Sequence, residues 1–198
     1  MKICEIFSTI QGEGRFAGTP TLFIRLSGCS RACGFCDTKY HVKSRDMSVK
    51  DIVKKIKKSK YETVCWTGGE ALLQKDEVYR AIKATRNKNH LLETNGDFLE
   101  PMDFLYFNNI TCSPKDLVTA KKVSLLKRYY SFDIKVVSDL KKLNISLLKY
   151  ADYIMPLSTG KRMKDLETAA AVWHYCAKHN KMYAARLNYL IFGNKRGI

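Results

Sequence analysis

The chain shows two rhythms of apolar and polar residues. Short runs rich in β-branched and aromatic side chains recur at residues 3–7, 22–26, 63–66, 91–93, 110–112, 132–137, 153–157 and 183–191, and each predicts a strand. Three longer segments, Val49–Lys58 and residues 76–87 and 163–179, read as helices. Ser48 with Asp51 three residues on is close to a capping box, which fixes the start of the first. The third helix puts Leu166, Ala170, Trp173 and Ala177 on one face, a stripe expected to enter the core and to leave Trp173 no cofactor role. Strands alternating with helices predict an α/β fold, a parallel sheet with crossover helices. No repeat, low-complexity tract or Pro/Ser-rich linker divides the chain, so residues 1–198 are expected to form a single domain.

The unusual segments follow directly on the predicted strands. Residues 28–38 come after Leu26, Thr67-Gly68-Gly69-Glu70 after Trp66, and Asn95-Gly96 after residues 91–93. Ser113-Pro114-Lys115 follows Cys112, and residues 156–158 end another strand. In parallel α/β folds the carboxyl ends of the strands open on one face, where ligands bind. Five polar or Gly-rich segments at that face predict one active site.

Composition narrows the classes. With 198 residues and 45% hydrophobic content the chain can bury one core, which excludes a disordered or fibrous protein. It is short of the ~250 residues of a complete eightfold barrel. No apolar run approaches the ~20 residues that span a bilayer, and Met1-Lys2-Ile3-Cys4-Glu5 has no apolar signal core, so a cytoplasmic protein without a membrane partner is expected. The net charge of +16 is carried mainly by lysines spread along the chain. That spread reads first as a solvated surface and second as a docking face for an acidic protein. Nucleic-acid recognition, which favours a clustered, Arg-rich stripe, is not expected. Of seven cysteines, Cys4, Cys65, Cys112 and Cys176 are isolated in apolar stretches and read as small core residues.

Cys29, Cys33 and Cys36 have the spacing C-x3-C-x2-C. Three thiolates so close can wrap one metal centre. One reading is a zinc site completed by His41, although structural zinc normally uses two separated ligand pairs and no second pair is present. The other is an iron–sulfur cluster, usually held by four cysteines; a three-cysteine loop leaves one iron open to a substrate or cofactor.

The loop, with Phe35 just before its last cysteine, resembles the radical S-adenosylmethionine (SAM) signature, and Gly68-Gly69-Glu70 resembles that superfamily's motif for the SAM amino group. The flanks are similar to 7-carboxy-7-deazaguanine synthases: Phe7-Ser8-Thr9-Ile10-Gln11-Gly12-Glu13-Gly14, Phe23-Ile24-Arg25-Leu26, Cys36-Asp37-Thr38, Leu72-Leu73-Gln74, Glu93-Thr94-Asn95-Gly96 and Cys112-Ser113-Pro114-Lys115. The resemblance implies a reduced, partial radical-SAM barrel of about six parallel strands with few helices, its open side closed by a partner subunit in a homodimer. It implies a [4Fe-4S] cluster on Cys29, Cys33 and Cys36 whose open iron chelates SAM, and an adenosyl radical that takes a hydrogen from C6 of 6-carboxy-5,6,7,8-tetrahydropterin. The ring then contracts to 7-carboxy-7-deazaguanine, ammonia leaves and SAM is regenerated. A Mg2+ ion would be held by the hydroxyl of Thr38. Phe35, Cys36, Asp37, Gly68, Gly69, Glu70, Ser113, Pro114, Lys115, Met155, Pro156, Leu157 and Ser158 would line the SAM pocket. Ile10, Gln11, Gly12, Arg25, Thr67 and the terminal Ile198 would contact substrate, with Lys195 and Arg196 as an alternative closure. A flavodoxin or ferredoxin would donate the electron, and the basic charge suits such acidic proteins. The chain departs from the family pattern at Ala71, where proline is common, at Met155, where glutamine is frequent, and in a tail without histidine.

Overall fold

The inner strands of the central sheet carry two kinds of side chain, and the sheet buries both. The computed structural model describes residues 1–38, 42–193, 195 and 197; His41, Arg196 and Ile198, named above, lie outside the described residues. The strands are β1 (Lys2–Ile10), β2 (Pro20–Leu26), β3 (Arg45–Asp46), β4 (Thr63–Gly68), β5 (Asn89–Thr94), β6 (Asn109–Cys112), β7 (Asp133–Ser138), β8 (Tyr153–Pro156) and β9 (Met182–Tyr183). They form one sheet in the order β3-β1-β2-β4-β5-β6-β7-β8-β9. From β2 to β9 all pairings are parallel, whereas β1 is antiparallel to both β2 and β3. Six strands of four or more residues thus run parallel, and the α/β expectation holds.

The helices are α1 (Val49–Lys58), α2 (Lys75–Lys83), α3 (Leu117–Leu126), α4 (Arg162–His179) and α5 (Leu187–Phe192). The crossovers β5–β6 and β7–β8 use only short 3-10 turns, Pro101–Leu105 and Ile145–Tyr150, which keeps the helix layer thin. The Ser48 side chain accepts from the Asp51 amide at 3.1 Å and caps α1, whose Ile52 and Ile56 are buried. One sheet face, packed on the helices, is aliphatic: Ile24, Val64, Trp66, Leu92, Ile110, Ile134, Val136 and Ile154 are all buried. Trp66 donates its indole N–H to His90 Nδ1 at 3.1 Å, and His90 Nε2 lies 3.0 Å from the Thr85 carbonyl, so this core histidine is neutral and fully paired.

Three expectations are corrected. The stripe on α4 faces outward, with Leu166 and Trp173 each 54% exposed, while Val172 and Cys176 enter the core. Residues 183–191 are not a strand: β9 ends at Tyr183 and α5 follows, docked through the Leu187 amide on the Gly12 carbonyl at 2.8 Å. The helix α3 had no strong apolar period, because Thr119, Ala120 and Val123 face inward while Val118 and Leu125 are exposed. The second helix also stops at Lys83 instead of 87; Thr85 Oγ1 donates to the Ala81 carbonyl and closes the turn. Cys65, Cys112 and Cys176 are buried as expected, and Cys4 is half-buried. No described helix is long and apolar enough to cross a membrane.

Candidate active site

The cysteine loop leaves β2 through Gly28 and is pinned before any cofactor is considered. Arg31 makes two bonds to Asp97, at 2.7 and 2.5 Å, one to Asp116 at 2.5 Å and one to Thr119 at 3.1 Å. Ser30 donates to Asp97 at 2.6 Å, and Asn95 reaches Ser30 at 2.9 Å. The sulfurs of the loop accept hydrogen bonds: Cys29 from the Arg31 amide and Cys36 from the Thr38 amide, both at 3.4 Å. Burial pushes the Cys29 thiol up, against the pull of the Arg31 amide. Among the described residues, no three His, Cys, Asp or Glu side chains are grouped to hold a single metal ion. A zinc centre needs its sulfurs on one atom, whereas a four-iron cluster takes each thiolate on its own iron. Cys29, Cys33 and Cys36 are half-buried on one loop, an arrangement that fits a cluster.

The end of β4 meets this loop backbone to backbone. Gly69 donates to the Leu26 carbonyl at 3.2 Å and Glu70 to the Gly28 carbonyl at 2.8 Å. A Cβ on Gly69 would lie 1.9 Å from the Gly28 oxygen, so glycine is required there. Gly68, at φ +137°, has a conformation only glycine adopts freely. Glu70 differs from the reading of it as an acceptor for an ammonium. Its carboxylate is fully buried and accepts from Leu72 N, Thr94 Oγ1 and Asn95 N at 3.0, 2.8 and 2.7 Å. Burial pushes this carboxyl above the ordinary range, against the pull of those three donors. Glu70 thus ties β4 to β5.

The second face of the sheet, turned away from the helices, begins with Phe7, Phe16, Phe23, Cys65 and Leu91 and becomes polar toward the strand ends. Arg25 and Thr67 are register partners on β2 and β4, and Glu93, Thr111 and Asp133 are aligned across β5 to β7. Arg25 is oriented by Glu5 at 2.8 Å and donates to Thr38 Oγ1 at 3.3 Å; Thr38 in turn donates to Asp37 at 2.9 Å. Gln11, buried at the end of β1, donates its amide to Glu93 Oε1 at 3.2 Å. Lys135 bridges Glu13 at 2.5 Å and Glu93 at 2.9 Å. Arg186 lies between Glu13 and Asp37, at 3.5 and 2.7 Å. Burial alone would push the Lys135 ammonium down, but the two carboxylates outweigh it and hold it above the ordinary lysine range. Burial also pushes Glu93 up, against the pull of Lys135.

The remaining predicted residues close the other side. Ser113 is held by the Thr94 carbonyl at 2.7 Å, Lys115 donates to Ser113 at 3.1 Å, and its ammonium lies 5.6 Å from the Phe35 ring centre. Met155 and Pro156 are buried at the end of β8, and Leu157 donates to the Ser138 carbonyl at 3.0 Å. Ile10 pairs with Pro20 beside Gln11, and Gly12 touches α5, where a Cβ would lie 2.1 Å from Asn188 Oδ1. Sequence reasoning missed Glu13, Lys135 and Arg186 as members of the site; for Lys135 the one signal is a charged residue inside an otherwise apolar run.

The comparisons with known proteins agree with this geometry. A model of the radical SAM superfamily matches residues 23–152. A 7-carboxy-7-deazaguanine synthase from Methanospirillum hungatei is 41% identical over 146 residues, 71% of this chain and 57% of that protein. Proteins of the same name from Thermoplasma acidophilum and Bacteroides thetaiotaomicron are 42% and 40% identical over 98 and 114 residues, 48% and 58% of this chain. The chain thus spans 57%, 47% and 60% of the length of these three curated relatives. The crystal structure of QueE from Escherichia coli is similar in fold, with a TM-score of 0.57, 18% identity and 92% of both chains covered. Superfamily membership implies a [4Fe-4S] cluster and SAM, the pair for which a three-thiol loop with an open fourth position is suited. By its matched span and its cysteine loop, this chain belongs to the radical SAM superfamily.

Proposed function

We propose that the protein is a ring-contracting lyase, a 7-carboxy-7-deazaguanine synthase, converting 6-carboxy-5,6,7,8-tetrahydropterin to 7-carboxy-7-deazaguanine and ammonia. The observation that carries this reading is the wall of buried Gln11 and half-buried Arg25, Thr67 and Glu93, donors and acceptors on the sheet face that opens beside the cysteine loop. A flat heterocycle bearing a carboxylate needs such a mixed wall. The named relatives support it as well.

The cluster and SAM, when bound, supply an electron and an adenosyl radical able to take a hydrogen atom from carbon. The chain's own residues do the rest. Cys29, Cys33 and Cys36 hold the cluster. Gly68 and Gly69 present backbone to the amino-acid end of SAM, and Lys115, with Ser113 and Pro114, stands where an anionic carboxylate would be neutralised. Phe35, Cys36, Asp37 and residues 155–158 flank the rest of that cofactor.

Arg25, already fixed by Glu5, offers its planar fork to the substrate carboxylate. Thr38 and Asp37 supply the oxygen ligands that a Mg2+ ion near that carboxylate prefers. Gln11, with the backbone of Ile10 and Gly12, reads the ring edge, since an amide both donates and accepts. Thr67 lies across from Arg25 and completes the wall. Ile198 remains a proposed substrate contact. A second copy of the chain covers the exposed apolar residues Met163, Leu166 and Trp173 of α4 and Leu190 and Ile191 of α5. The electron comes from an acidic flavodoxin or ferredoxin attracted by the +16 charge.

The test is anaerobic reconstitution followed by turnover of the carboxypterin with dithionite and SAM. About four irons per chain and release of ammonia equal to product formed are expected. A colourless protein with one zinc, or SAM cleavage without product, overturns the proposal.

A further inference from the structure

Lys135 is a lysine on a central strand with a side chain 5% exposed. An isolated buried ammonium is costly by several kcal/mol, so its partners are the reason it is there. They come from separate parts of the chain: Glu13 follows β1, and Glu93 lies on β5. Glu93 spends one oxygen on Lys135 and the other on the Gln11 amide; Glu13 spends one on Lys135 and faces Arg186 with the other. Each carboxylate oxygen has two lone pairs, so these contacts leave acceptor capacity on the wall that also carries Arg25 and Thr67.

Lys135 is the shared counter-charge of both half-buried carboxylates, and burial already pushes Glu93 up against its pull. Without the ammonium Glu93 would be driven toward its protonated form, and an acceptor would become a donor. A heterocycle whose edge consists of N–H groups would then meet a like group.

We infer that Lys135 is a positioning residue for substrate recognition, holding Glu13 and Glu93 as fixed acceptors against the N–H edge of a 2-amino-4-oxo heterocycle. The inference rests on the function proposed above and deepens it. Lys135 does not touch the reacting carbon; it acts through the two carboxylates. A site built to hydrogen-bond N–H groups discriminates strongly because a mismatch leaves buried polar groups unpaired.

The experiment compares wild type, Lys135→Met, Glu93→Gln and the double variant, each reconstituted and assayed with the carboxypterin. Lys135→Met is expected to raise KM about tenfold or more with a smaller change in kcat, the signature of lost ground-state recognition. Iron content and SAM affinity should stay within about twofold of wild type. Because part of what Lys135 does runs through Glu93, the loss in the double variant should be smaller than the two single losses combined, a non-additivity that a merely structural role would not produce. A KM for Lys135→Met within about twofold of wild type, or additive losses in the double variant, overturns the inference. Should Lys135→Met fail to fold, Lys135→Gln, which keeps a hydrogen-bond donor without the charge, carries the same decision: its KM must rise by a similar factor, and a KM near wild type overturns the inference. Wild type that binds SAM but makes no product overturns the proposed function instead, so the two failures are distinct.

Discussion

The two faces of the sheet differ in what holds them. Against the helices, the face is aliphatic, and Trp66, Ile24, Leu92 and Ile154 are kept in place by exclusion from water and by packing. On the other face, past a small apolar floor, charged and amide groups are buried nearly as deeply and are kept by partners: Lys135 by two glutamates, Gln11 by Glu93, Arg25 by Glu5. The first arrangement tolerates no lost volume. The second tolerates no lost partner. The same strands supply both, by simple alternation, so stability and recognition are written on alternate residues of one segment.

That division can be broken experimentally. Trp66→Ala should have the largest effect, about 3–5 kcal/mol of stability, because it empties core volume and strips His90 Nδ1 of its donor. Urea unfolding measures it, and kcat/KM at low temperature should change little. Arg25→Met should do the reverse: a loss of about a hundredfold in kcat/KM, near 2.7 kcal/mol, with a small change in urea midpoint. If Arg25→Met instead unfolded the protein while turnover per folded molecule persisted, the contrast between the faces would fail.

Next in size is the loop clamp. Asp97→Asn removes the charge that Arg31 grips twice, and iron should be lost to a chelator several-fold faster, about 1–2 kcal/mol in barrier. The smallest effect sharpens the helix-side face. Burial keeps His90 neutral, with its affinity for a proton below the ordinary histidine range. The unfolded chain takes up that proton near pH 6.5, so the contribution of His90 is complete above that pH and is lost as the pH falls below it. Buried Glu70 works in the opposite sense, since its raised carboxyl favours the folded state as the pH drops. The clean readout is therefore a difference: between pH 7 and pH 5, His90→Gln should lose less stability than wild type.

Much of this was legible in the sequence because strand alternation and the cysteine spacing are local signals. The parallel sheet, α1 and the motifs at the strand ends all lie within a few residues of the pattern that announces them. What escaped was set by distant partners. In α4 the larger apolar side chains, Leu166 and Trp173, face outward and the smaller Val172 and Cys176 inward, so apolar size misled the choice of face. In α3 a polar Thr119 turns inward to meet Arg31, which weakens the helical period; Asp116, accepting from the Thr119 amide, was the available signal. Leu187–Phe192 is apolar at most positions and carries no periodicity to separate helix from strand. Lys135 reads as one more lysine among many, and its partner Glu13 is 122 positions away. Glu70 had the right neighbours for a ligand contact, but its carboxylate is consumed by amides of β5 and its own turn.

The docking of Leu187 on Gly12 and of Arg186 on Glu13 has a consequence for biosynthesis. During translation, the sheet strands from β1 to β8 can pair long before residue 186 leaves the ribosome, yet the recognition wall is not complete until it does. A nascent chain therefore passes through a stage with its hydrophobic layer assembled and its polar pocket open to water. The contacts that Arg186 and Leu187 make with Glu13 and Gly12 are the ones that seal it.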